Sequence, residues 1–331
     1  MGKEIPATMK AVEITEPGGA EALRAGSRPT PQAGPGEVLV KVAFAGINGP
    51  DLMQRRGLYP PPKGASDLLG LEISGEVVAT GDGVSRWSVG DRLCALTNGG
   101  GYAEYCAVNA DHCLPIPEGL DLAEAASLPE SYFTIWSNIF MTAGLSAGEI
   151  FLVHGGAGGL GTTSIQLGKA FGATVVATDS PADRCAFCES LGADRVIDYA
   201  DEDFVDVVRE TFGGADVILD IVGGPYIARN IKAAKPDARI VQLAFALGAD
   251  VQINLMPVML KRLHYTGSTL RSRPDAYKAL VARNLEEKVW PLFGEGKLKP
   301  VVNTILPLAD AAEAHSLMES AGHRGKIILS C

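Results

Sequence analysis

The sequence predicts an α/β protein made of a β-rich part and a doubly wound part with a parallel sheet. Short apolar runs separated by Gly- and Pro-rich turns fill the first third of the chain. From about residue 150, short apolar strands alternate with helical stretches. Such alternation requires a parallel sheet with helices on both faces. The length of 331 residues is enough for about two domains.

The β-rich part shows a clear strand pattern in residues 37–44. Val38, Val40, Val42 and Phe44 lie at alternating positions, as expected for a strand with one buried face. Residues 72–80 and 92–96 are similar short runs, and Gly- and Pro-rich turns lie between the runs. Many short strands separated by turns predict a barrel-like or sandwich-like unit.

The second part begins with a strand at residues 150–154, followed by a Gly-rich turn and a helix to about Phe171. Further strands are predicted at 174–178, 195–198, 217–220 and 239–243. After residue 270 we expect helices at 275–290 and 308–320 and a closing strand at 326–329. The closing strand has no obvious partner in the parallel sheet, so we expect the C-terminus to return to the β-rich part.

Composition and charge exclude several classes of function. The formal net charge is −10 and the basic residues are scattered, whereas a nucleic-acid binder normally presents a basic face. No apolar stretch is long enough to span a bilayer, and residues 1–10 lack the apolar core of a secretory signal. The six cysteines are too few and too irregularly spaced for a disulfide scaffold. We therefore expect a cytoplasmic protein with reduced thiols and with neither nucleic acid nor membrane as a partner.

The most informative segment is the glycine-rich turn GGAGGLG at residues 155–161. Gly156, Gly158 and Gly161 have the G-x-G-x-x-G spacing, which permits a tight turn, close approach to a pyrophosphate and close packing of helix on strand. The turn follows a strand and opens a helix, whose N-terminal N–H groups would point at the phosphates. The sequence therefore predicts a dinucleotide site.

The cofactor preference stays open. Asp179 ends the second strand, about twenty residues after the glycines, where an acidic residue usually binds the ribose hydroxyls and favours NADH. Arg184 and Tyr199 could instead flank the 2′-phosphate of NADPH, or could be ordinary surface residues.

Several motifs together resemble one known family. They are residues 9–12 (MKAV), 45–52 (AGINGPDL), 83–91 (GVSRWSVGD), 99–105 (GGGYAEY), the glycine turn, 270–273 (LRSR) and 325–328 (GKII). The chain resembles the medium-chain dehydrogenase/reductase superfamily, and within it the zeta-crystallin-like NAD(P)H:quinone oxidoreductases. The resemblance implies a GroES-like catalytic domain at 1–126 and 271–331, a Rossmann domain at 127–270, and an active site in the cleft. It also implies NADPH as cofactor and a homodimer formed through the sheet edges of the nucleotide domains.

The resemblance also bears on metal binding. Zinc alcohol dehydrogenases of this superfamily carry a Cys and a Gly-His-Glu segment where this chain has Asn48 and Leu71. An amide and an isobutyl group cannot replace a thiolate and an imidazole on zinc. The cysteine-rich lobe of the structural zinc is also missing, so we expect no metal site.

Without a Lewis acid, alcohol oxidation is disfavoured. Hydride transfer to an acceptor that is already electron-poor requires mainly orientation and exclusion of water. We therefore predict an oxidoreductase that reduces a quinone, of the ortho type or a naphthoquinone, by one or two electrons. The alternatives are reduction of an enone or enoyl thioester and, from another class, a non-catalytic or RNA-binding crystallin-like role, which the acidic net charge disfavours.

The resemblance implies roles for individual residues. Asn48 would lie against the nicotinamide or the substrate carbonyl, Asp51 would anchor the loop, and Tyr59 would stand at the cleft mouth. For Asp51 and Tyr59, loop capping and packing on the following prolines are equally good explanations. The residues expected to hold the cofactor are Asn48, Thr134, Gly156, Gly158, Gly159, Leu160, Gly161, Asp179, Ser180, Arg184, Tyr199, Ile221, Val222, Phe245, Ala246, Leu270, Arg271, Ser272 and Lys326. The basic pairs around Arg55, Lys261 and Arg271 are expected to be exposed and salt-paired.

Overall fold

The computed structural model describes residues 4–320 and 322–331. Met1, Gly2 and Lys3 of the predicted first domain, and Ala321 of its second segment, lie outside this part of the chain. The N-terminal elements are strands β1 (Thr8–Ile14), β2 (Leu23–Pro29), β3 (Glu37–Gly46), helix α1 (Gly49–Arg55), β4 (Glu72–Thr80), β5 (Arg92–Leu96), β6 (Tyr105–Asn109), β7 (Cys113–Pro115), α2 (Leu122–Ala125) and α3 (Pro129–Ile135). Short 3₁₀ turns lie at Ala20–Ala22 and Ala110–His112.

The middle of the chain opens with a π-helical turn at Trp136–Thr142 and then alternates strands and helices. The elements are β8 (Ile150–His154), α4 (Gly159–Ala170), β9 (Thr174–Asp179), α5 (Ala182–Ser190), β10 (Arg195–Asp198), α6 (Phe204–Phe212), β11 (Ala215–Asp220), α7 (Pro225–Ala233), β12 (Ala234–Gln242), α8 (Met256–Leu260) and β13 (His264–Gly267). The C-terminal elements are α9 (Asp275–Lys288), α10 (Pro291–Gly294), β14 (Val302–Pro307), a 3₁₀ turn (Leu308–Asp310), α11 (Ala311–Glu319) and β15 (Lys326–Ser330).

Contacts divide the chain into two compact units. The first contains the described residues of Met1–Phe133 and Leu270–Cys331, and the second is Thr134–Thr269. No helix in the described part of the chain is both long and apolar enough to cross a membrane.

The first unit is built around β3. Its seven-stranded sheet has the order β14-β15-β3-β4-β5-β7, with β6 also paired to β3, and β1 and β2 form a separate antiparallel pair. Val38, Val40 and Val42 join the main core, as their alternation predicts. Leu39 points to the other face but is also buried, in a smaller cluster with Met9. The prediction that only one face of this strand is buried is therefore wrong at Leu39, because the β1–β2 region covers the second face.

The closing strand β15 lies in the sheet of the first unit. It pairs in parallel with β14 and antiparallel with β3, where Ile328 is opposite Gly46. The backbone N–H of Ile47 donates to the carbonyl of Ile327. This pairing places the start of β15 beside the residues that follow β3.

The second unit contains a six-stranded parallel sheet of order β10-β9-β8-β11-β12-β13. This arrangement confirms the predicted doubly wound α/β fold. The chain leaves β8 toward β9 and β10 and then crosses to β11 on the other side of β8. Ligands of such sheets bind at the carboxyl ends of the strands where the strand order reverses, which here is the edge between β8 and β11.

Candidate functional site

The glycine turn lies at this edge, between β8 and α4. The backbone N–H groups of Gly155 and Gly156 both donate to the carbonyl of Thr178 at the end of β9, at 3.0 and 3.1 Å. Gly158 is the N-cap of α4, a helix of 12 residues. The first-turn N–H groups of such a helix have no intrahelical partner and, with the helix dipole, favour an anion.

The glycines of the turn differ in how much space surrounds them. A Cβ on Gly161 would lie 2.1 Å from the carbonyl oxygen of Gly155, so only glycine fits there. A Cβ on Gly156 would lie 2.8 Å from Cys188 Sγ. At Gly158 the nearest atom to an added Cβ is 3.6 Å away, which is ordinary contact. The turn therefore needs glycine at 156 and 161 for packing, while 158 is sterically open.

The Asp179 carboxylate is turned into the protein. It accepts hydrogen bonds from the N–H of Ala157 at 2.7 Å, from the N–H of Ser180 at 2.9 Å and from Arg184 Nε at 2.6 Å, and Asp179 is 3% exposed. Tyr199 is half exposed and adjoins this pair, since its N–H donates to the Asp179 carbonyl. Asp179 therefore supports the glycine turn, and its charge is balanced by Arg184.

Two further loops meet at the carboxyl edge of the sheet. The N–H of Ala246 donates to the carbonyl of Ile221, and the N–H of Leu247 donates to that of Val222. Phe245 is 47% exposed, and an added Cβ on Gly223 would strike its side chain at 2.8 Å. Four predicted cofactor residues, Ile221, Val222, Phe245 and Ala246, are thus brought together.

A buried polar network behind these loops was not predicted from the sequence, which gave His154 only a structural role. His154 lies 2.9 Å from Thr178 Oγ1 and 2.8 Å from Asn230 Oδ1, and Asn230 Nδ2 donates to Asp220. Asp220 also accepts the N–H groups of Val222 and Gly223. Burial lowers the pKa of His154, which keeps it neutral. The network connects the glycine turn to the 221–224 loop. The sequence signal that could have predicted it is the polar residue at the end of each buried strand.

In the first unit, Asn48 lies in a buried cluster with Glu72 and Lys326. Asn48 Nδ2 donates to Glu72 Oε1 at 2.9 Å, and Lys326 Nζ donates to Asn48 Oδ1 at 2.5 Å. Lys326 also forms an ion pair with Glu72 Oε1 at 2.5 Å. The three residues are 3%, 0% and 5% exposed. Glu72 was not among the predicted residues, although a charged residue at the start of an apolar strand is a signal for a buried partner.

Asp51 anchors the loop that carries Asn48. Its carboxylate accepts the N–H of Asn48 at 2.9 Å and the N–H of Gly70 at 3.0 Å. Burial raises the pKa of Asp51 to about 6. The Tyr102 hydroxyl interacts with this carboxylate and lies 3.1 Å from His315 Nε2.

His315 continues the network toward α1. Arg55 donates to His315 Nδ1 at 3.2 Å and forms an ion pair with Glu319. Because an arginine has only donors, Nδ1 accepts and the proton of the neutral ring is on Nε2. Burial, together with the Arg55 charge, lowers the pKa of His315 to about 3. Arg55 is fully buried, so the expectation of an exposed residue is wrong for it, although it is salt-paired.

Arg271 is also buried rather than exposed, and among the described residues it binds neutral groups instead of forming the predicted salt pair. It donates to the Asn98 carbonyl at 2.6 and 2.9 Å and to Gln54 Oε1 at 2.7 Å, and its guanidinium lies 5.5 Å from the Tyr59 ring centroid. Buried Lys278 donates to Asn98 Oδ1 and to the Arg271 carbonyl. Arg271 of the LRSR motif is thus held by neutral acceptors, with its guanidinium near the Tyr59 ring. By contrast, Arg56 and Arg262 are exposed and salt-paired as expected.

The remaining predicted residues lie in less distinctive places. Leu270 is half-buried and Ser272 is exposed in the first unit, while buried Thr134 lies in the second unit. The Thr134 carbonyl accepts hydrogen bonds from Ser137 and Asn138. A cavity of about 620 Å³ in the first unit has Arg28, Lys63, Glu37 and Asp275 among its lining residues and none of the predicted site residues. Its mixed charges favour neither an anion nor a cation.

The donor set around Asn48 does not fit zinc. The cluster offers one amide, one carboxylate and an ammonium, whereas catalytic zinc sites use three Cys, His or carboxylate ligands. Within residues 4–320 and 322–331, no group of three or more His, Cys, Asp or Glu side chains is arranged to hold a metal ion.

The chain matches known proteins over nearly its whole length. Residues 34–118 match the alcohol dehydrogenase GroES-like domain, and residues 159–287 match the family described as zinc-binding dehydrogenase. The quinone oxidoreductase of Rattus norvegicus is 31% identical over 329 residues, which is 97% of each chain. A polyketide synthase subunit for phenolphthiocerol and phthiocerol from Mycobacterium tuberculosis is 32% identical over 328 residues, covering 96% of this chain and 15% of that longer protein. The crystal structure of Escherichia coli quinone oxidoreductase complexed with NADPH superposes with a TM-score of 0.87 at 27% identity, covering 97% of this chain and 100% of that one. These findings confirm the resemblance, and the chain belongs to the quinone oxidoreductase-like family of the medium-chain dehydrogenase/reductase superfamily.

Proposed function

We propose that this protein is an NADPH-dependent oxidoreductase that reduces quinones without a catalytic metal. The observation that carries the proposal is the combination of an intact glycine turn at the switch point of the parallel sheet with a polar cluster at Asn48 that cannot hold zinc. The full-length similarity to quinone oxidoreductases supports the same activity.

In this proposal, the cofactor pyrophosphate binds at the N-terminus of α4, at Gly156, Gly158, Gly159, Leu160 and Gly161. Ser180, Arg184 and Tyr199 hold the adenosine end, and the loops at 221–222 and 245–246 hold the opposite side of the pyrophosphate. Asn48, Thr134 and the segment 270–272 complete the set of residues that hold the cofactor. When bound, the reduced nicotinamide supplies a hydride, which together with one proton from solvent converts a quinone into a hydroquinone.

The state of Asp179 supports NADPH rather than NADH. An acidic residue selects NADH when its carboxylate is free to bind the ribose hydroxyls and to repel a 2′-phosphate. Here the Asp179 carboxylate already accepts from two backbone N–H groups and from Arg184. Arg184, which bears the balancing charge, is suited to contact a phosphate.

In this proposal the protein orients the acceptor and donates hydrogen bonds to it but supplies no Lewis acid. The acceptor therefore has to be electron-poor already. Asn48 is assigned as a hydrogen-bond donor to the acceptor carbonyl and Tyr59 as a stacking surface or hydroxyl donor. Asp51 is assigned to hold the backbone of Asn48. These groups position a planar acceptor and exclude water from it, which is sufficient for a quinone.

The test is an assay of absorbance loss at the reduced nicotinamide band, with NADPH and NADH in parallel. A naphthoquinone and an enoyl-CoA are the two acceptors. Quinone-dependent oxidation with NADPH preferred supports the proposal. Activity with the enoyl-CoA alone would replace quinone reduction by enoyl-thioester reduction. Tight cofactor binding without turnover of either acceptor would refute the assigned acceptor class.

We also propose that the protein is a homodimer joined through β13, the edge strand of the parallel sheet. Near this edge, α8 presents Met259 and Leu260 at 69% and 65% exposure, and Tyr265 of β13 is 43% exposed. Exposed large apolar side chains are typical of an interface, and an edge strand of a sheet is suited to pairing with another chain. We further propose a division into domains at 1–126 with 271–331 and at 127–270, and a cytoplasmic location, which fits six free thiols.

A further inference from the structure

The Asn48 side chain lies between one residue that can only donate and one that can only accept. Lys326 Nζ is 2.5 Å from Asn48 Oδ1, and an ammonium group has three donors and no acceptor. Glu72 Oε1 is 2.9 Å from Asn48 Nδ2, and an ionised carboxylate has only acceptors. Exchanging the amide oxygen and nitrogen would set N–H against ammonium and oxygen against carboxylate. Only one orientation of this amide is therefore chemically consistent.

The surroundings keep both charged groups in place. Glu72 is fully buried, and its second oxygen, Oε2, accepts the backbone N–H of Glu130 at 2.8 Å. A Cβ on Gly46 would lie 2.1 Å from Glu72 Oε1, so glycine at 46 leaves room for this carboxylate. Lys326 begins β15, which is held beside Asn48 by the pairing of β15 with β3.

We propose that Lys326 and Glu72 are positioning residues that fix the Asn48 amide so that its second N–H is presented to the carbonyl oxygen of the acceptor. This inference rests on the proposed function, because it concerns the reduction of a carbonyl-bearing acceptor. In this inference, Lys326 does not contact the cofactor, as the sequence led us to expect, but acts by orienting Asn48.

The chemical reason is the charge that develops on the acceptor. Asn48 has two N–H donors on Nδ2, of which one goes to Glu72, and its oxygen is taken by Lys326. The remaining N–H is a donor that the cluster leaves for a ligand, so position 48 can donate to the carbonyl oxygen of an acceptor. A donor held in place before the reaction stabilises a developing oxyanion without reorganisation.

The first test exchanges the positions of the carboxylate and the amide in this cluster. The double variant Asn48→Asp/Glu72→Gln keeps one carboxylate, one amide and Lys326, so the cluster keeps its net charge. The ion pair of Lys326 passes from Glu72 to the new carboxylate at position 48, while the new amide at position 72 keeps one of the two acceptor oxygens of Glu72. The variant removes the N–H at position 48. We expect kcat with a naphthoquinone to fall about 100-fold, as for loss of an oxyanion donor, with the NADPH dissociation constant within about twofold of wild type. Retention of kcat in this variant would overturn the inference.

The second test removes both fixing charges together, because a single removal would leave a buried unpaired charge and endanger folding. We expect Lys326→Met/Glu72→Gln to lower kcat about tenfold, the effect of one lost charge-assisted hydrogen bond. The same pair of changes in an Asn48→Ala background should lower kcat no further, because both residues act through Asn48. An equal loss in both backgrounds would show a general structural role and would overturn the inference.

A spectroscopic measurement separates this inference from the proposed function. A hydrogen bond from Asn48 should lower the infrared carbonyl stretch of a bound naphthoquinone in the presence of NADP⁺, and Asn48→Asp/Glu72→Gln should abolish that shift. A shift of this kind in a wild type that does not turn over quinone would refute the reaction while supporting the role of Asn48. Normal turnover with no shift would refute the inference alone. Lys169→Met, which breaks an ion pair with Asp194 in the second unit, serves as the matched control.

Discussion

Arg184 Nε lies 2.6 Å from Asp179 Oδ1, in an ion pair at the carboxyl end of β9. The same carboxylate accepts the N–H of Ala157 in the glycine turn. Asp179 is thus a support of the turn, and the acidic residue that would usually select NADH is neutralised within the protein. A ligand that reaches this edge meets the guanidinium rather than a free carboxylate.

The first prediction concerns cofactor preference. Arg184→Ala should raise the dissociation constant for NADPH about tenfold, because one charge-assisted contact to the 2′-phosphate is lost. The dissociation constant for NADH, which has no 2′-phosphate, should change less than about threefold. Fluorescence titration measures both constants. Arg262→Ala, which breaks the exposed pair with Asp237 in the same unit, should alter neither. Equal weakening of both cofactors by Arg184→Ala would show that Arg184 acts only through Asp179.

The second prediction concerns the glycine turn. Gly158→Asp should weaken NADPH binding by at least about tenfold, because a like charge is set beside the pyrophosphate. Gly158→Ser should keep binding within about threefold, since the nearest atom to an added Cβ is 3.6 Å away. Gly161→Ala should disrupt the turn, because its Cβ would lie 2.1 Å from the Gly155 carbonyl oxygen. An unchanged dissociation constant for Gly158→Asp would remove this turn from the cofactor site.

The third prediction concerns acid stability. The pKa of His315 is lowered by burial to about 3, below the ordinary value near 6.5. Its contribution to the free energy of unfolding is therefore complete above pH 6.5 and is lost as the pH falls, by about 1.4 kcal/mol for each pH unit. His315→Gln can keep the bonds to Arg55 and Tyr102 without a titrating ring, so it should reduce this acid dependence. Urea unfolding between pH 7 and pH 4 measures the slope.

Asp51 acts in the opposite direction within the same network. Its pKa is raised by burial to about 6, so its contribution to stability is complete below pH 4 and is lost as the pH rises through 6. The two effects on the free energy of unfolding partly cancel in the wild type. In His315→Gln, the pH dependence contributed by Asp51 should remain without that of His315. An identical slope in His315→Gln and wild type would show that folding does not lower the pKa of His315.

The regular elements were predictable from local pattern. The strands at 72–80, 92–96, 150–154 and 195–198 have the predicted bounds, because Gly- and Pro-rich turns or charged residues mark their ends. The glycine turn was predictable for the same reason, since its spacing, the strand before it and the helix after it are all local. β3 was predicted less well, because burial of Leu39 depends on a hairpin distant in sequence.

The polar partners in the site were not predictable in this way. Glu72 and Lys326 are separated by more than 250 residues, and their ion pair exists only because β15 joins β3. The direction of the Asp179 carboxylate depends on whether the N–H of Ala157 is free to donate, which spacing does not reveal. Arg271 reads as a surface charge in sequence, yet it is buried because Asn98 and Gln54 supply neutral acceptors from other loops.

The last prediction concerns assembly. Met259→Lys/Leu260→Lys places two charges on the exposed apolar side of α8, where both side chains are more than half exposed in the single chain. If this surface is buried in a homodimer, the added charges would lack partners there and the dimer should dissociate. Size-exclusion chromatography with light scattering measures the mass. Leu280→Lys, at an exposed apolar residue on α9 of the first unit, should leave the mass unchanged. Dimers that persist in Met259→Lys/Leu260→Lys would place the interface elsewhere, and a wild type of about 35 kDa, the mass of one chain, would refute the homodimer itself.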